Sequence, residues 1–386
     1  MKKRIILLLC LCAVLLAAIV GCAKSNSEPT QTVEPTPVET SSGSEPEETF
    51  DYVSIIQTAR KSYSADAVVM TVNGRELTWD AYFYWLADQL SLYCSYVGSF
   101  PPWEEELEPG LSYDQYFRDY ADKTLVYLLT LEDKAAQLGV DLSDESQQLM
   151  DAAWTGMISS IGSEEEALAY LDSYFLTKEN YEWINRVNLL YSDVFLHLYG
   201  DKAADFPDAD TLAYAEDQGY MHAKHILFLT TDDAGAALPE DEKAAVLTLA
   251  TDTLAQLQGL SGDALESAFD TLMAEKSEDS GLLYYPDGYT FLYEEMVEPF
   301  SAAAEALGDG EMSDLVESPY GYHIILRLPL DPDAITEYDS STNAPLTLRY
   351  AAAYADYQTR IDSWIEEVDI EFSDDFKDLT ISSLFD

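Results

Sequence analysis

Three of the four histidines in this chain fall in two short apolar stretches about a hundred residues apart, and those stretches constrain the fold more than anything else. The first is Met221-His222-Ala223-Lys224-His225-Ile226-Leu227-Phe228-Leu229. The second is Ser318-Pro319-Tyr320-Gly321-Tyr322-His323-Ile324-Ile325-Leu326. Both are β-branched and aromatic over runs too short for helices, so both read as strands. Alternate residues of a strand share a face. His225 therefore faces with Leu227 and Leu229, and His323 with Ile325 and Arg327. If the strands are neighbours, His225 and His323 meet across the sheet. Between them, Val246, Leu247, Ala250, Leu254 and Leu257 predict a helix from Pro239 to about Gln258. Leu265, Phe269, Leu272 and Met273 predict another, and Phe300, Ala303, Ala304 and Leu307 a third, closed by Gly308-Asp309-Gly310. Strand, helices, strand, helix and two strands is an α+β arrangement.

A chain of 386 residues suggests two or three domains, and 47% apolar content is enough for real cores. Residues 1–22 carry Lys2, Lys3 and Arg4 ahead of a continuous apolar run from Ile5 to Val20. That run is short for a span of about 20 residues but suits a signal segment. It ends Ile19-Val20-Gly21-Cys22, which resembles a bacterial lipobox with Cys22 as the lipid acceptor. A transmembrane anchor is the alternative, and either reading puts the domains outside the cytoplasm, here on the extracytoplasmic face of a bacterial cell membrane. Residues 23–51 are rich in Ser, Thr, Pro and Glu and read as a disordered tether. The formal charge of −52 becomes three units more negative without Lys2, Lys3 and Arg4. Such a surface repels nucleic acid and anionic headgroups. Its simplest role is solubility; attraction of cationic unfolded clients is the other. Cys10 and Cys12 leave with the signal, so Cys94 is the one thiol left and no disulfide framework is expected. Its aromatic helical context reads as a small buried residue.

From residue 52, Val68–Val72 reads as a strand, Asn73-Gly74 as a hairpin turn and Arg75-Glu76-Leu77 as the return. Thr78 is a candidate N-cap for a helix with Ala81, Trp85, Leu86 and Leu92. Residues 112–200 are helical by pattern, with starts at Ser143, Ser163 and Thr177 and stops at Gly139, Gly162 and Gly200. Residues 201–220 read as a link. After Pro329 the chain reads as irregular to about Pro345, and Tyr350, Tyr354, Tyr357, Ile361 and Trp364 then mark a last helix. The 27 tyrosines read mainly as helical core and rim, or else as an aromatic cradle for unfolded chains.

Five short motifs in order then carry a resemblance. His225-Ile226-Leu227, Lys276-Ser277-Glu278-Asp279, Met296-Val297-Glu298-Pro299-Phe300, Gly310-Glu311-Met312-Ser313 and Tyr320-Gly321-Tyr322-His323-Ile324-Ile325 resemble the signature of parvulin-type (PpiC) peptidyl-prolyl isomerases. The layout, including the Val-Asn-Gly hairpin and aromatic helix, is similar to PrsA-type foldase lipoproteins. The resemblance implies a four-stranded antiparallel sheet with surrounding helices, plus a mostly α-helical SurA/PrsA-like chaperone domain. The expected boundaries are a signal over 1–22, a tether over 23–51, a helical part over 52–215, the isomerase domain over 216–330, and a segment over 331–386 whose helix returns to the helical domain. It implies His225, Asp279 and His323 as catalytic. It implies Met296, Phe300 and Phe291 as substrate-binding, with Ser318 and Tyr320 adding hydrogen bonds. No cofactor and no metal are implied: on a strand, His222 and His225 face opposite ways. Partners would be unfolded exported polypeptides and the membrane through Cys22, with no nucleic acid and a homodimer left open.

Two departures stand out. The family's glycine-rich run is replaced by Tyr285-Pro286-Asp287-Gly288-Tyr289, with Gly288 in place of a pocket leucine. The loop Thr230-Thr231-Asp232-Asp233 is acidic, which argues against phosphate-directed specificity. The expected activity is isomerisation of X-Pro bonds. The rival is a holdase whose isomerase domain only binds chains; a solute-binding lipoprotein is a third class.

Overall fold

The computed structural model describes residues 50–385. The signal segment, the Cys22 lipidation site and nearly all of the tether lie outside the described residues. Two compact units form. The described residues up to Val194 together with those from Ile361 make the first, and Phe195–Arg360 make the second.

The first unit opens with helix α1 (Tyr52–Ala59) and the hairpin β1 (Val68–Val72) and β2 (Arg75–Thr78). Asn73 and Gly74 both take positive φ, as a tight turn of this type requires. Helix α2 (Trp79–Val97) follows directly. Thr78 occupies its N-cap position but makes no side-chain cap; the first amides of α2 donate instead to Ala67 O and Ala65 O. A short hairpin, β3 (Glu106–Glu108) and β4 (Leu111–Ser112), leads into α3 (Tyr113–Leu138), α4 (Asp144–Ile161), α5 (Glu164–Ser173) and α6 (Lys178–Tyr199). Ser143 and Ser163 cap α4 and α5 through the amides of Ser146 and Glu166. Gly139 ends α3 in the left-handed region.

The core of this unit is aromatic. Trp79, Tyr82, Phe83, Phe117 and Phe376 are all buried, and Cys94 is buried among them. The C-terminal residues enter this core. Ile370–Phe372 adds a third antiparallel strand on the free edge of β1. Phe376 packs against Tyr63 and Trp79, with ring centroids 4.4 and 5.6 Å away. The Arg118 guanidinium then donates to the carbonyls of Phe376, Lys377 and Leu379. Many tyrosines therefore serve as core and rim.

The second unit begins with the last turn of α6. Residues 201–220, expected as a link, contain helix α7 (Asp208–Gln218). Its buried positions are Thr211 and Ala215, too small and polar to give an apolar periodicity. Strand β5 (Met221–Leu229) follows, then α8 (Glu240–Leu257), α9 (Gly262–Lys276), β6 (Tyr289–Phe291), α10 (Glu298–Ala306), β7 (Val316–Glu317) and β8 (Gly321–Leu328). Where an irregular stretch was expected, β9 (Ile335–Tyr338) and β10 (Pro345–Thr347) form a hairpin before α11 (Leu348–Glu366). Its turn is built by Asp339, whose Oδ1 accepts from the amides and hydroxyls of Ser341 and Thr342. Strands of three and four half-exposed residues carry little apolar signal, which is why the sequence left them unread.

The central sheet has the order β6-β5-β8-β7 and is antiparallel throughout. It is covered on both faces. Ile226, Phe228, Ile324 and Leu326 pack under α8 and α9 with Leu254, Leu257, Leu265 and Phe269. Met221, Ala223 and Ile325 face α10 through Phe300 and Ala304. Gly321 is required where β8 meets β5, because a Cβ there would run into the Phe228 carbonyl.

Removing the Phe376 ring should leave a cavity between Tyr63 and Trp79. Phe376→Ala is expected to cost about 3–5 kcal/mol, measured as a lower urea midpoint with unchanged slope.

Candidate active site

β5 and β8 pair with His225 opposite Ile325 and Leu227 opposite His323. The two histidines are thus diagonal neighbours on one face, the geometry that long side chains bridge. Their Nδ1 atoms lie 3.0 Å apart and their rings are near parallel, with centroids 5.3 Å apart. His225 Nε2 lies 2.9 Å from Asp279 Oδ2, and His323 Nε2 lies 2.7 Å from Ser318 Oγ. The Tyr289 hydroxyl donates to Asp279 Oδ2 at 2.7 Å, the Gly281 amide to Oδ1 at 2.9 Å, and the Tyr320 amide to Ser318 Oγ at 3.1 Å.

With both imidazoles neutral, this chain of contacts has one self-consistent direction. An ionised carboxylate only accepts, so His225 donates from Nε2 and accepts at Nδ1. His323 then donates from Nδ1 and accepts at Nε2 from the Ser318 hydroxyl. In that state each tautomer is set by the hydrogen-bond network. The energetics agree. Burial, together with the facing His225, pushes the His323 pKa down to about 4. Burial alone would raise Asp279, but the hydrogen bonds from His225, Tyr289 and Gly281 outweigh it and hold the carboxyl at about 2. Burial and then the Asp279 carboxylate push the Tyr289 phenol upward, so it stays a donor.

Backbone contacts explain how Asp279 arrives there. β6 pairs with β5 only over Met221, His222 and Ala223. Further along that edge, Ser277 Oγ accepts from the Leu227 amide, the Glu278 amide donates to Leu227 O, and the Glu278 carboxylate accepts from the Leu229 amide. Lys276-Ser277-Glu278 thus clips the open edge of β5 and leaves the next residue, Asp279, against His225. Glu311 and Ser313 do the same for β8: Arg327 N donates to Glu311 O and Ser313 N to Ile325 O, and Ser313 Oγ accepts from Ile325 N.

The apolar side of the site is Phe300. Its ring lies 5.2 Å from His225, 5.6 Å from His323 and 5.6 Å from Phe291. Met296 is half-buried in the same cluster, whereas Phe291 is 2% exposed. Of the residues expected at the site, His225, Asp279, His323 and Ser318 form one hydrogen-bonded chain. Phe300, Phe291 and Met296 form one apolar cluster beside it. Tyr320 joins through its backbone; its ring is 54% exposed. Tyr289 was missed. The only signal for it was the departure at Gly288, and the structure gives that departure a reason. Gly288 has φ +104°, and a Cβ there would sit 2.8 Å from Ala223 O. A leucine has no room, and the adjacent Tyr289 turns towards Asp279 instead. His222 faces away from His225, with its ring nitrogens 3.0 and 3.2 Å from the carbonyls of Pro329 and Asp287.

A mixed α+β domain with paired strand histidines, a carboxylate on one of them and an aromatic wall across both is the arrangement that the resemblance to parvulin-type isomerases implies. The comparisons are consistent with that class. The rotamase family, PPIC-type PPIASE domain, matches residues 225–328. Peptidyl-prolyl cis-trans isomerase Pin1 of Malus domestica is 33% identical over 111 residues, which are 28% of this chain and 92% of that protein. Putative peptidyl-prolyl cis-trans isomerase Cbf2 of Campylobacter jejuni is 33% identical over 114 residues, and the match spans 34% of its length. Among solved structures, PrsA from Bacillus subtilis is 21% identical, with 82% of this chain and 98% of that one covered at a TM-score of 0.25. Foldase protein PrsA from Lactococcus lactis is 15% identical, with 82% and 97% covered at a TM-score of 0.30. The chain belongs to the parvulin-type, PPIC-type peptidyl-prolyl isomerase family.

The depressed His323 pKa has a pH consequence. The unfolded chain binds a proton below about 6.5, while the folded chain binds it only near 4. The stability this gives is complete above pH 6.5 and is lost as pH falls towards 4. Unfolding of the wild type between pH 7.5 and 4.5 should show a loss of about 2–3 kcal/mol that is absent in His323→Gln. The difference between the two isolates it from relaxing carboxylate repulsion, which acts in the opposite sense.

Proposed function

We propose that this protein is an extracytoplasmic foldase that turns X-Pro bonds in exported polypeptides and shields them while they fold. The observation that carries the reading is the His225–His323 pair with Asp279 at one end and Phe300 across both rings. An X-Pro bond is slow because rotation breaks amide resonance, a barrier of about 18–20 kcal/mol. Lowering it needs no nucleophile. It needs a site that binds the twisted amide better than either planar form. About 4 kcal/mol corresponds to a thousandfold.

In this reading Phe300 and Met296 hold the proline ring, with Phe291 backing Phe300. An apolar wall disfavours the charge-separated planar amide, and the ionised Asp279 repels the carbonyl oxygen most while that oxygen carries amide negative charge. Both destabilise the planar state more than the twisted one. His225 and His323 act as positioning residues that keep Asp279 aimed and Ser318 in place. Ser318 and Tyr320 stand at the far end and steady His323. We assign roles to the regions bounded from the sequence: helical parts over 52–215 and 331–386 as the chain-shielding region, and Cys22 as the lipid anchor on the outer face of the membrane. Tyrosine-rich helices suit the shielding role, because aromatic surfaces hold extended apolar segments without strict sequence demands.

One observation favours a second reading. Tyr289 donates to Asp279, and Phe300 is 3% exposed, so the site is partly covered by its own side chains. A holdase that binds chains without turning them fits that cover. A proline-limited refolding assay separates the two. The wild type should speed the slow phase, and Asp279→Ala should lower that rate at least about tenfold without loss of aggregation suppression. Suppressed aggregation with an unchanged slow phase in the wild type assigns the holdase role instead. The anchor has its own check: Cys22→Ser should move the protein from the membrane pellet to the soluble extract, and persistence in the pellet would indicate a spanning anchor.

A further inference from the structure

We propose that a tyrosine shelf beside Asp279, flanked by Glu295 and Glu337, selects client prolines that have an arginine or lysine next to them. This rests on the reading above that the site engages X-Pro segments, and it names which ones.

The shelf starts at the catalytic carboxylate. Tyr289 reaches Asp279, and the Tyr285 ring lies over Tyr289 at 4.8 Å. Tyr338 meets Tyr285 edge-on at 5.8 Å and Tyr284 edge-on at 5.7 Å. Its hydroxyl is fixed by donating to Tyr284 O at 2.7 Å. The rings are partly open: Tyr284 is exposed, and Tyr285 and Tyr338 are half-buried. Tyr338 lies in β9, beyond the residues that match the family. Tyr338 thus joins the shelf from outside the matched residues.

Its electrostatics favour a cation. Glu337 precedes Tyr338 in β9, and Glu295 lies in the turn that follows β6, where its carboxylate accepts from the Leu292 amide. Burial raises the Tyr285 phenol, and the Tyr338, Glu337 and Glu295 groups raise it further. Between Lys276 and Arg327 the sequence has eleven Asp and Glu residues and no Lys or Arg. The nearby cations are engaged elsewhere. Lys224 holds Glu266 and Asp270, and Arg349 holds Asp208 and Asp333. Aromatic faces with carboxylates alongside attract a guanidinium or ammonium group through ring quadrupole and charge together. The same field repels an acidic or phosphorylated neighbour of proline.

The test uses the full folded chain and four blocked peptides, Ala-Xaa-Pro-Phe with Arg, Leu, Phe or Glu at Xaa. Isomerisation is read without a coupling protease, and binding is read separately by titration calorimetry. Arg is expected to exceed Leu about tenfold in kcat/KM, with Glu lowest. The Arg advantage should shrink at about 0.5 M salt. The double variant Glu295→Gln, Glu337→Gln, which removes charge and keeps shape, should cut the Arg-to-Leu ratio at least threefold, and Tyr338→Ala should also lower it. Equal rates for Arg and Leu, a preference for Phe, or a ratio unmoved by the double variant overturns the shelf. If nothing is turned over, calorimetry decides. Tighter binding of the Arg peptide keeps the shelf while the isomerase reading falls, and equal binding removes both.

Discussion

The contact on which the second unit depends is the one between two ring nitrogens, His225 Nδ1 and His323 Nδ1, 3.0 Å apart beneath Phe300. Two imidazoles can share a hydrogen bond only if one donates and the other accepts, so the pair ties the two tautomers together. Everything adjacent follows. Asp279 must be ionised to receive His225, and the Ser318 hydroxyl must point at His323. Because the chain is fully partnered, the polar groups can be buried in the middle of an apolar sheet without the usual penalty for an unsatisfied donor. The depressed pKa of His323 keeps its ring uncharged beside Phe300, as an apolar proline site needs.

The sheet provides this contact by register. β5 and β8 run antiparallel over eight residue pairs, and a slip of one residue would send His323 to the face covered by α8 and α9. Side chains and backbone outside the main strands guard the register. Ser277 and Glu278 occupy the open edge of β5, while Glu311 and Ser313 occupy that of β8. Two of the motifs that first suggested the family are therefore edge clips. Their chemistry is structural, and they act on the site by deciding where Asp279 begins and where β8 lies.

The loop that departs most from the family pattern is also the most individual part of the site. Gly288 passes so close to Ala223 that no side chain fits, and Tyr289 then lies on Asp279. Tyr285 and Tyr338 extend that aromatic surface outward. A substitution that reads as a missing pocket wall is, in three dimensions, an exchange of one wall for another made of different chemistry.

The local elements were legible in the sequence because short-range physics sets them. Period-two apolar runs gave β5 and β8, the Asn73-Gly74 turn gave β1 and β2, serines marked the starts of α4 and α5, and a glycine marked the end of α3. The two histidines and Asp279 were named from their motifs, but not the direction of their hydrogen bonds. Helix α7 was hidden because Thr211 and Ala215 bury small groups, and the β9–β10 hairpin because its strands are brief and half-exposed. What tertiary structure alone decided is long-range: Ile370–Phe372 on the edge of β1, Tyr289 on Asp279, and Tyr338 against Tyr285. Each joins residues whose separate neighbourhoods carry no trace of the other, since a pairing energy between distant segments leaves no periodic pattern in either one.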